Sequence, residues 1–188
     1  EKKSKTILIT SHSAKEGKTF TAVNLGAILA MADRKVLLLD MDLHKPNMHQ
    51  ALGFINDEYS GMPALYKKEC TMKEAIIKTS QPNLDAVISK SSTSGASEML
   101  LSDVTKTIMD YGSRHYDYVI IDTPPVGLLS DAMTLMKYSD LNLYLLSATA
   151  PCKHSISQAT EISETNKFQL SFILNKVNDS WKISDYIN

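Results

Sequence analysis

Cysteine, glycine and long apolar runs are all scarce in this chain, and each scarcity removes a class of protein. There are two cysteines in 188 residues, Cys70 and Cys152, far apart and without CxxC or Cys/His ligand spacing. That excludes a disulfide scaffold and a zinc module, and leaves the expectation of two reduced, buried thiols in a cytoplasmic protein. No apolar stretch approaches the roughly 18 residues of a membrane helix, and no signal-peptide pattern opens the chain. Excess charge is missing too: 20 Lys and Arg oppose 21 Asp and Glu, for a formal net charge of −1. Bulk attraction to nucleic acid is therefore not expected. The first residue is Glu1 rather than methionine, which reads as a piece of something longer. Membrane attachment would then come from another segment or a partner.

What is present is alternation. Hydrophobic residues make up 43% of the chain, enough for one globular domain over residues 1–188. Residues 6–10 (TILIT), 36–40 (VLLLD), 84–89 (LDAVIS), 118–122 (YVIID), 141–146 (LNLYLL) and 170–175 (LSFILN) read as strands. They are too continuously apolar to be half-exposed, which favours a mainly parallel sheet covered on both faces. Phe20, Val23, Ala27, Ile28 and Met31 form a stripe at helical spacing between the first two strands. Further helices are expected over 96–111 and 155–166. Alternating strand and helix predicts a doubly wound α/β domain, with its ligand at the carboxyl ends of the strands. The Ser-rich stretch 89–97 (SKSSTSGAS) reads as a surface loop.

Three strand ends carry chemistry. After the first comes SHSAKEGKT, residues 11–19. The tripeptide Gly-Lys-Thr alone is weak, arising by chance in about one chain in ten of this length at average composition. Between a strand and a helix it is far more specific. Successive loop N–H groups and the helix N-terminus favour an anion there. Gly17 permits close approach, Lys18 suits the β- and γ-phosphates, and the Thr19 hydroxyl suits Mg²⁺. The plain alternative is an ordinary joint with Lys18 solvated. The second strand ends in Asp40-Met41-Asp42, whose carboxylates lie on one side of an extended segment and would repel without a cation such as Mg²⁺. A solvated acidic turn is the alternative. The fourth expected strand ends in Asp122-Thr123-Pro124-Pro125, and an aspartate there suits the metal's water shell.

Together, SHSAKEGKTFTAVNLG, KVLLLDMDLHKPNMHQALG and YDYVIIDTPPVGLLSDA resemble the cytoplasmic kinase domain of bacterial tyrosine kinases. There they are the Walker A, Walker A′ and Walker B motifs, and the resemblance runs from about Thr6 to Val177. It implies a P-loop fold that transfers phosphate from ATP to tyrosines with Mg²⁺, autophosphorylates, often in a self-assembled ring, and regulates capsular or exopolysaccharide export. It also implies work at the inner face of the cell membrane, through a fused membrane chain-length regulator or a membrane activator, and no nucleic acid. The implied nucleotide contacts are Ala14, Lys15, Glu16, Gly17, Lys18, Thr19 and Phe20. Asn175 matches a base-contacting position in related ATPases; a strand-end turn residue is the alternative. Lys18, Asp40, Asp42 and Asp122 are the implied catalytic set, with Asp42 acting on the acceptor hydroxyl. Thr19 and the same three aspartates are the implied metal set.

The chain departs from that pattern at several places. Ala14-Lys15 replaces a proline-glycine pair, and His44 replaces an arginine, with only partial charge at neutral pH. The C-terminal tyrosine cluster is reduced to Tyr186, and EKKSK stands where a Glu/Arg-rich helix is expected. Two other readings compete. A septum-positioning or partition ATPase would carry a signature lysine at the place of Ser13. A nucleotide-switched scaffold of the polysaccharide assembly would bind ATP without useful tyrosine transfer.

Overall fold

The computed structural model describes residues 4–54, 59, 61–126, 131–149 and 152–177, with the backbone alone for 152–154. Tyr186 and the Cys152 side chain lie outside the described residues. Seven strands form one sheet: β1 (Lys5–Ser11), β2 (Val36–Asp40), β3 (Ile77–Lys78), β4 (Leu84–Val87), β5 (Tyr118–Asp122), β6 (Leu141–Ser147) and β7 (Leu170–Asn175). Their order is β3-β4-β2-β5-β1-β6-β7, and every pairing is parallel except β3 with β4. The six expected strands are all present. The short β3, with two residues, carries too little pattern to be read from sequence.

Alternation along each strand builds two cores. On one face Ile7, Ile9, Leu38, Ala86, Ile120 and Leu145 meet α1 (Lys18–Met31) and α2 (Met48–Ala51). On the other, Leu8, Leu37, Leu39, Val119, Ile121 and Tyr144 meet six helices. These are α3 (Gly61–Tyr66), α4 (Met72–Ala75), α5 (Ala96–Leu101), α6 (Asp103–His115), α7 (Asp131–Met136) and α8 (Cys152–Asn166). Each fully buried Leu or Ile contributes about 1.5–3 kcal/mol, so the central strands anchor the loops at their ends. None of the helices among the described residues is long and apolar enough to cross a membrane.

Several expectations are corrected. The apolar stripe of α1 is split: Val23 and Ala27 are half-buried against the core, while Phe20, Ile28 and Met31 are 68%, 64% and 72% exposed. The sheet side is Ala22, Gly26 and Ala30, because small residues let the helix sit close. A Cβ on Gly26 would stand 2.9 Å from Leu38 Cδ2. The helix expected over 96–111 is two helices, since Ser102 is extended (φ −75°, ψ 161°) and its hydroxyl donates to the Met99 carbonyl at 2.6 Å. The Ser-rich loop is not all surface: Ser89 is fully buried beside β2, and α5 takes up its end from Ala96. Cys70 is a half-buried thiol rather than a fully buried one.

Candidate nucleotide site

The site lies at the carboxyl ends of β1, β5 and β2, three neighbouring strands. Gly17 is the N-cap of α1 in a left-handed conformation (φ 104°, ψ 20°), without a side-chain cap and without an acidic residue in the first turn. The first N–H groups of a helix have no partner within it, so this end is left ready for an anion. The loop before it is tied by its own side chains. Glu16, only 5% exposed, accepts the Ser13 N–H at 2.8 Å. Ser11 Oγ donates to the Ser13 carbonyl at 2.7 Å and accepts from Lys18 Nζ at 3.0 Å. Burial pulls the Lys18 pKa below the usual lysine value, while Asp122, Asp42 and Glu16 oppose that shift.

Register brings the carboxylates together. Asp40 on β2 is the pairing partner of Asp122 on β5, which also faces Ile9 on β1. Thr19 Oγ1 donates to Asp122 Oδ2 at 2.5 Å. Asp40 is completely buried, and its Oδ2 accepts a long bond from the Ser89 N–H at 3.5 Å. Burial raises the Asp40 pKa well above the usual carboxylate range; the charges of Asp122 and Asp42 add to this, and N–H groups of Ser89 and Met48 oppose it. Asp122 is pushed to about 7 by burial, with Asp42 adding and the Thr19 hydrogen bond and Lys18 opposing. Asp42 sits nearer the surface. Burial raises its pKa against the Lys45 N–H bond and the charges of Lys18 and His44.

A cation fits this arrangement. Asp40 Oδ1 and Asp122 Oδ1 are both buried without a hydrogen-bond partner, a costly state for two carboxylates in one place. Among the described residues no three His, Cys, Asp or Glu side chains come close enough to cage a metal. Mg²⁺ characteristically keeps waters and phosphate oxygens among its ligands and is held by one or two protein groups. The donor set is one hydroxyl, Thr19, with carboxylates behind it.

A cleft of about 600 Å³ opens in front, lined by Ala14, Lys15, Gly17, Lys18, Thr19, Phe20 and Asp42 from the expected set. His44, Lys45, Pro46, Asn47, Pro124 and Pro125 complete the walls. Glu16, Asp40, Asp122 and Asn175 are not among the residues that line the cleft. Asn175 Nδ2 donates to the Glu16 carbonyl at 2.9 Å, so its amide is already engaged with the loop. His44 Nε2 lies 2.7 Å from Asp131 Oδ2 at the start of α7, joining the A′ loop to the segment after Walker B. That pairing has no sequence signal, because the two residues are 87 positions apart. The Ser11 contact had a signal in principle: it precedes Lys18 by seven positions on the strand end. A second cleft of about 500 Å³ lies at the opposite pole of the sheet, around Lys35, Asp85, Tyr111 and Tyr116, away from every motif.

A strand–loop–helix turn after the central parallel strand β1, with aspartates ending β5 beside it and β2 one strand further on, is the arrangement of a P-loop nucleotide-binding fold. A family model described as an AAA domain matches residues 4–180. The chain is 32% identical over 170 residues to the tyrosine-protein kinase YwqD of Bacillus subtilis, covering 90% of this chain and 71% of that kinase. It spans 24% of the tyrosine-protein kinase ptk of Acinetobacter johnsonii, at 30% identity. The crystal structure of the chimerical protein CapA2B2 superposes with a TM-score of 0.86 at 30% identity, over 93% of this chain and 77% of that one. A variant of Cyanothece McdA in complex with ATP superposes with a TM-score of 0.75 at 26% identity, over 91% and 69%. The chain belongs to the bacterial tyrosine-protein kinase family of AAA-domain proteins.

Proposed function

We propose that residues 1–188 act as one P-loop kinase domain that transfers the γ-phosphoryl group of ATP to protein tyrosines, its own included. The observation that carries this reading is the convergence of Lys18, Thr19 and Asp122 on the uncapped N-terminus of α1, with Asp42 on the wall of the same cleft. Ala14 to Phe20 would hold the phosphates, Lys18 would supply a cation to them, and Thr19 would hold Mg²⁺, with Asp40, Asp42 and Asp122 acting through its water shell. When bound, Mg²⁺ supplies charge neutralisation for the phosphate oxygens. Asp42 orients the tyrosine hydroxyl and takes its proton as oxygen bonds to the γ-phosphorus and the bond to the β–γ bridging oxygen breaks. Its raised pKa makes the carboxylate a better proton acceptor than a solvated aspartate.

Membership of the family supports a biological setting. On this reading the chain works at the inner face of the bacterial membrane, with a membrane activator or fused chain-length regulator. Its role there is regulating capsular or exopolysaccharide polymerisation and export, with self-association into a ring. Likeness to McdA bound to ATP keeps a second reading in view, an ATPase or a nucleotide-switched scaffold. The experiment is phosphotyrosine detection and free-phosphate release, on the full-length protein with and without its membrane partner. Phosphotyrosine lost in Lys18→Met supports the kinase. Phosphate release with no tyrosine labelled, on itself or a supplied peptide, supports the second reading.

A further inference from the structure

The outermost strand ends against the phosphate loop. Lys176 Nζ donates to the Lys15 carbonyl at 2.7 Å, and Asn175 Nδ2 donates to the Glu16 carbonyl at 2.9 Å. Two consecutive loop carbonyls are thus held from one side by two consecutive residues of another element. Lys15 is left-handed (φ 65°) and so is Lys176 (φ 58°), a conformation that costs a non-glycine residue energy and persists only when surroundings fix it. The anchor is firm: Asn175 pairs with Ser147 of β6, and its own carbonyl accepts the Ala148 N–H at 2.8 Å.

The geometry has a direct consequence for the loop's donors. A trans peptide unit is planar, and its N–H points opposite to its C=O. The Lys15 carbonyl shares a unit with the Glu16 N–H, and the Glu16 carbonyl shares one with the Gly17 N–H. Pulling both carbonyls toward β7 therefore turns both N–H groups away from β7. A side chain at Gly17 would overlap the Asn175 amide, so the same contact requires glycine there.

We propose that Lys176 and Asn175 are positioning residues: they hold the Lys15 and Glu16 carbonyls outward so that the Glu16 and Gly17 N–H groups stay aimed at a bound polyphosphate. This rests on the nucleotide-site reading above. It also gives Asn175 a role at the loop, since one N–H of its amide is donated to the Glu16 carbonyl, beside any contact its second N–H and its Oδ1 make with a base.

Inorganic tripolyphosphate separates the two roles, because it has phosphates and no base. Calorimetry would measure tripolyphosphate and ADP binding to the parent, Asn175→Ala, Lys176→Met and Lys176→Arg, each with a parent-like thermal midpoint. Asn175→Ala changes no charge, so its effect is not one of net electrostatics. We expect Asn175→Ala and Lys176→Met to weaken both ligands by the same factor, about tenfold, the scale of one well-placed hydrogen bond lost. Lys176→Arg, which keeps a donor within reach, should recover most of it. Weakened ADP with unchanged tripolyphosphate would overturn the inference and make these residues base contacts. Unchanged affinity for both ligands would overturn it outright. A parent that binds neither ligand would instead refute the nucleotide site itself.

Discussion

Asp122→Asn should make the nucleotide-free protein more stable while removing its tight binding of Mg-nucleotide. The carboxyl is raised to about 7 in the folded chain against an ordinary value of 3.8. A raised folded pKa means that the group's favourable contribution is fully present below the unfolded pKa and is lost as pH rises through the folded one. The window is therefore about pH 4 to 7. At about pH 8 the parent would hold a penalty near 4 kcal/mol from this one group, taking about 1.4 kcal/mol for each tenfold change in proton affinity. At about pH 5 it would hold less than half of that. Asp40 is raised in the same direction and adds to the slope. Asparagine keeps the shape and can still accept the Thr19 hydroxyl, yet never ionises. In EDTA, parent stability should fall by about 3 kcal/mol between pH 5 and pH 8, or about 6–12 °C in thermal midpoint for a chain of this size. Asp122→Asn should lose clearly less over the same range. Mg-ADP should restore the parent at the higher pH and not the variant. Equal pH slopes for the two proteins would refute the claim that this carboxylate is held uncompensated.

Other changes test other parts of the site. Lys18→Met should weaken ADP binding by about ten- to a hundredfold, the scale of one charge-assisted hydrogen bond, measured by calorimetry; unchanged affinity would refute the phosphate loop. EDTA should weaken nucleotide binding in the parent and much less in an Asp40→Asn/Asp122→Asn double variant, and an equal effect in both would show that these carboxylates do not act on the ion. Asp42→Asn should keep Mg-ADP affinity within about threefold while phosphotyrosine formation falls by about 10²–10⁴, assayed with the membrane activator and with free phosphate followed alongside. Gly17→Ala should cost about 1–3 kcal/mol in chemical denaturation, since it combines a positive φ with overlap on Asn175; a cost near zero would mean that the loop readily leaves this shape.

The sheet and the motif residues were legible because burial on both faces leaves continuous apolar runs, and charged residues at their ends have few other places to go. Asp40 and Asp122 are paired by register in the structure as their positions at strand ends suggested. The orientation of α1 was not legible. Periodicity marks large apolar residues, and here close packing on the sheet selects the small ones, leaving Phe20 and Met31 outward. Ser102 divides a helix by a local hydroxyl-to-carbonyl bond that no periodic pattern records. Contacts such as His44 with Asp131, or Lys176 with the Lys15 carbonyl, join points far apart in sequence through flexible side chains. Only the fold reveals them.

The central place of β1 bears on how the chain is made. Its two neighbours are β5 and β6, and the bond from Thr123 Oγ1 to the Ile9 carbonyl spans 114 positions. At about 5–20 residues per second of synthesis, the first strand waits roughly 5–20 s for a partner. During that time ILI at its centre is an unpaired apolar segment. β2 and β4 can pair meanwhile, since both are complete well before β5 emerges. The phosphate loop hangs from the strand that is seated late, and its brace from β7 comes later still. On the proposed reading, nucleotide has nothing to bind while the sheet is being started, because the loop that would hold it is fixed only when β5, and then β7, are in place.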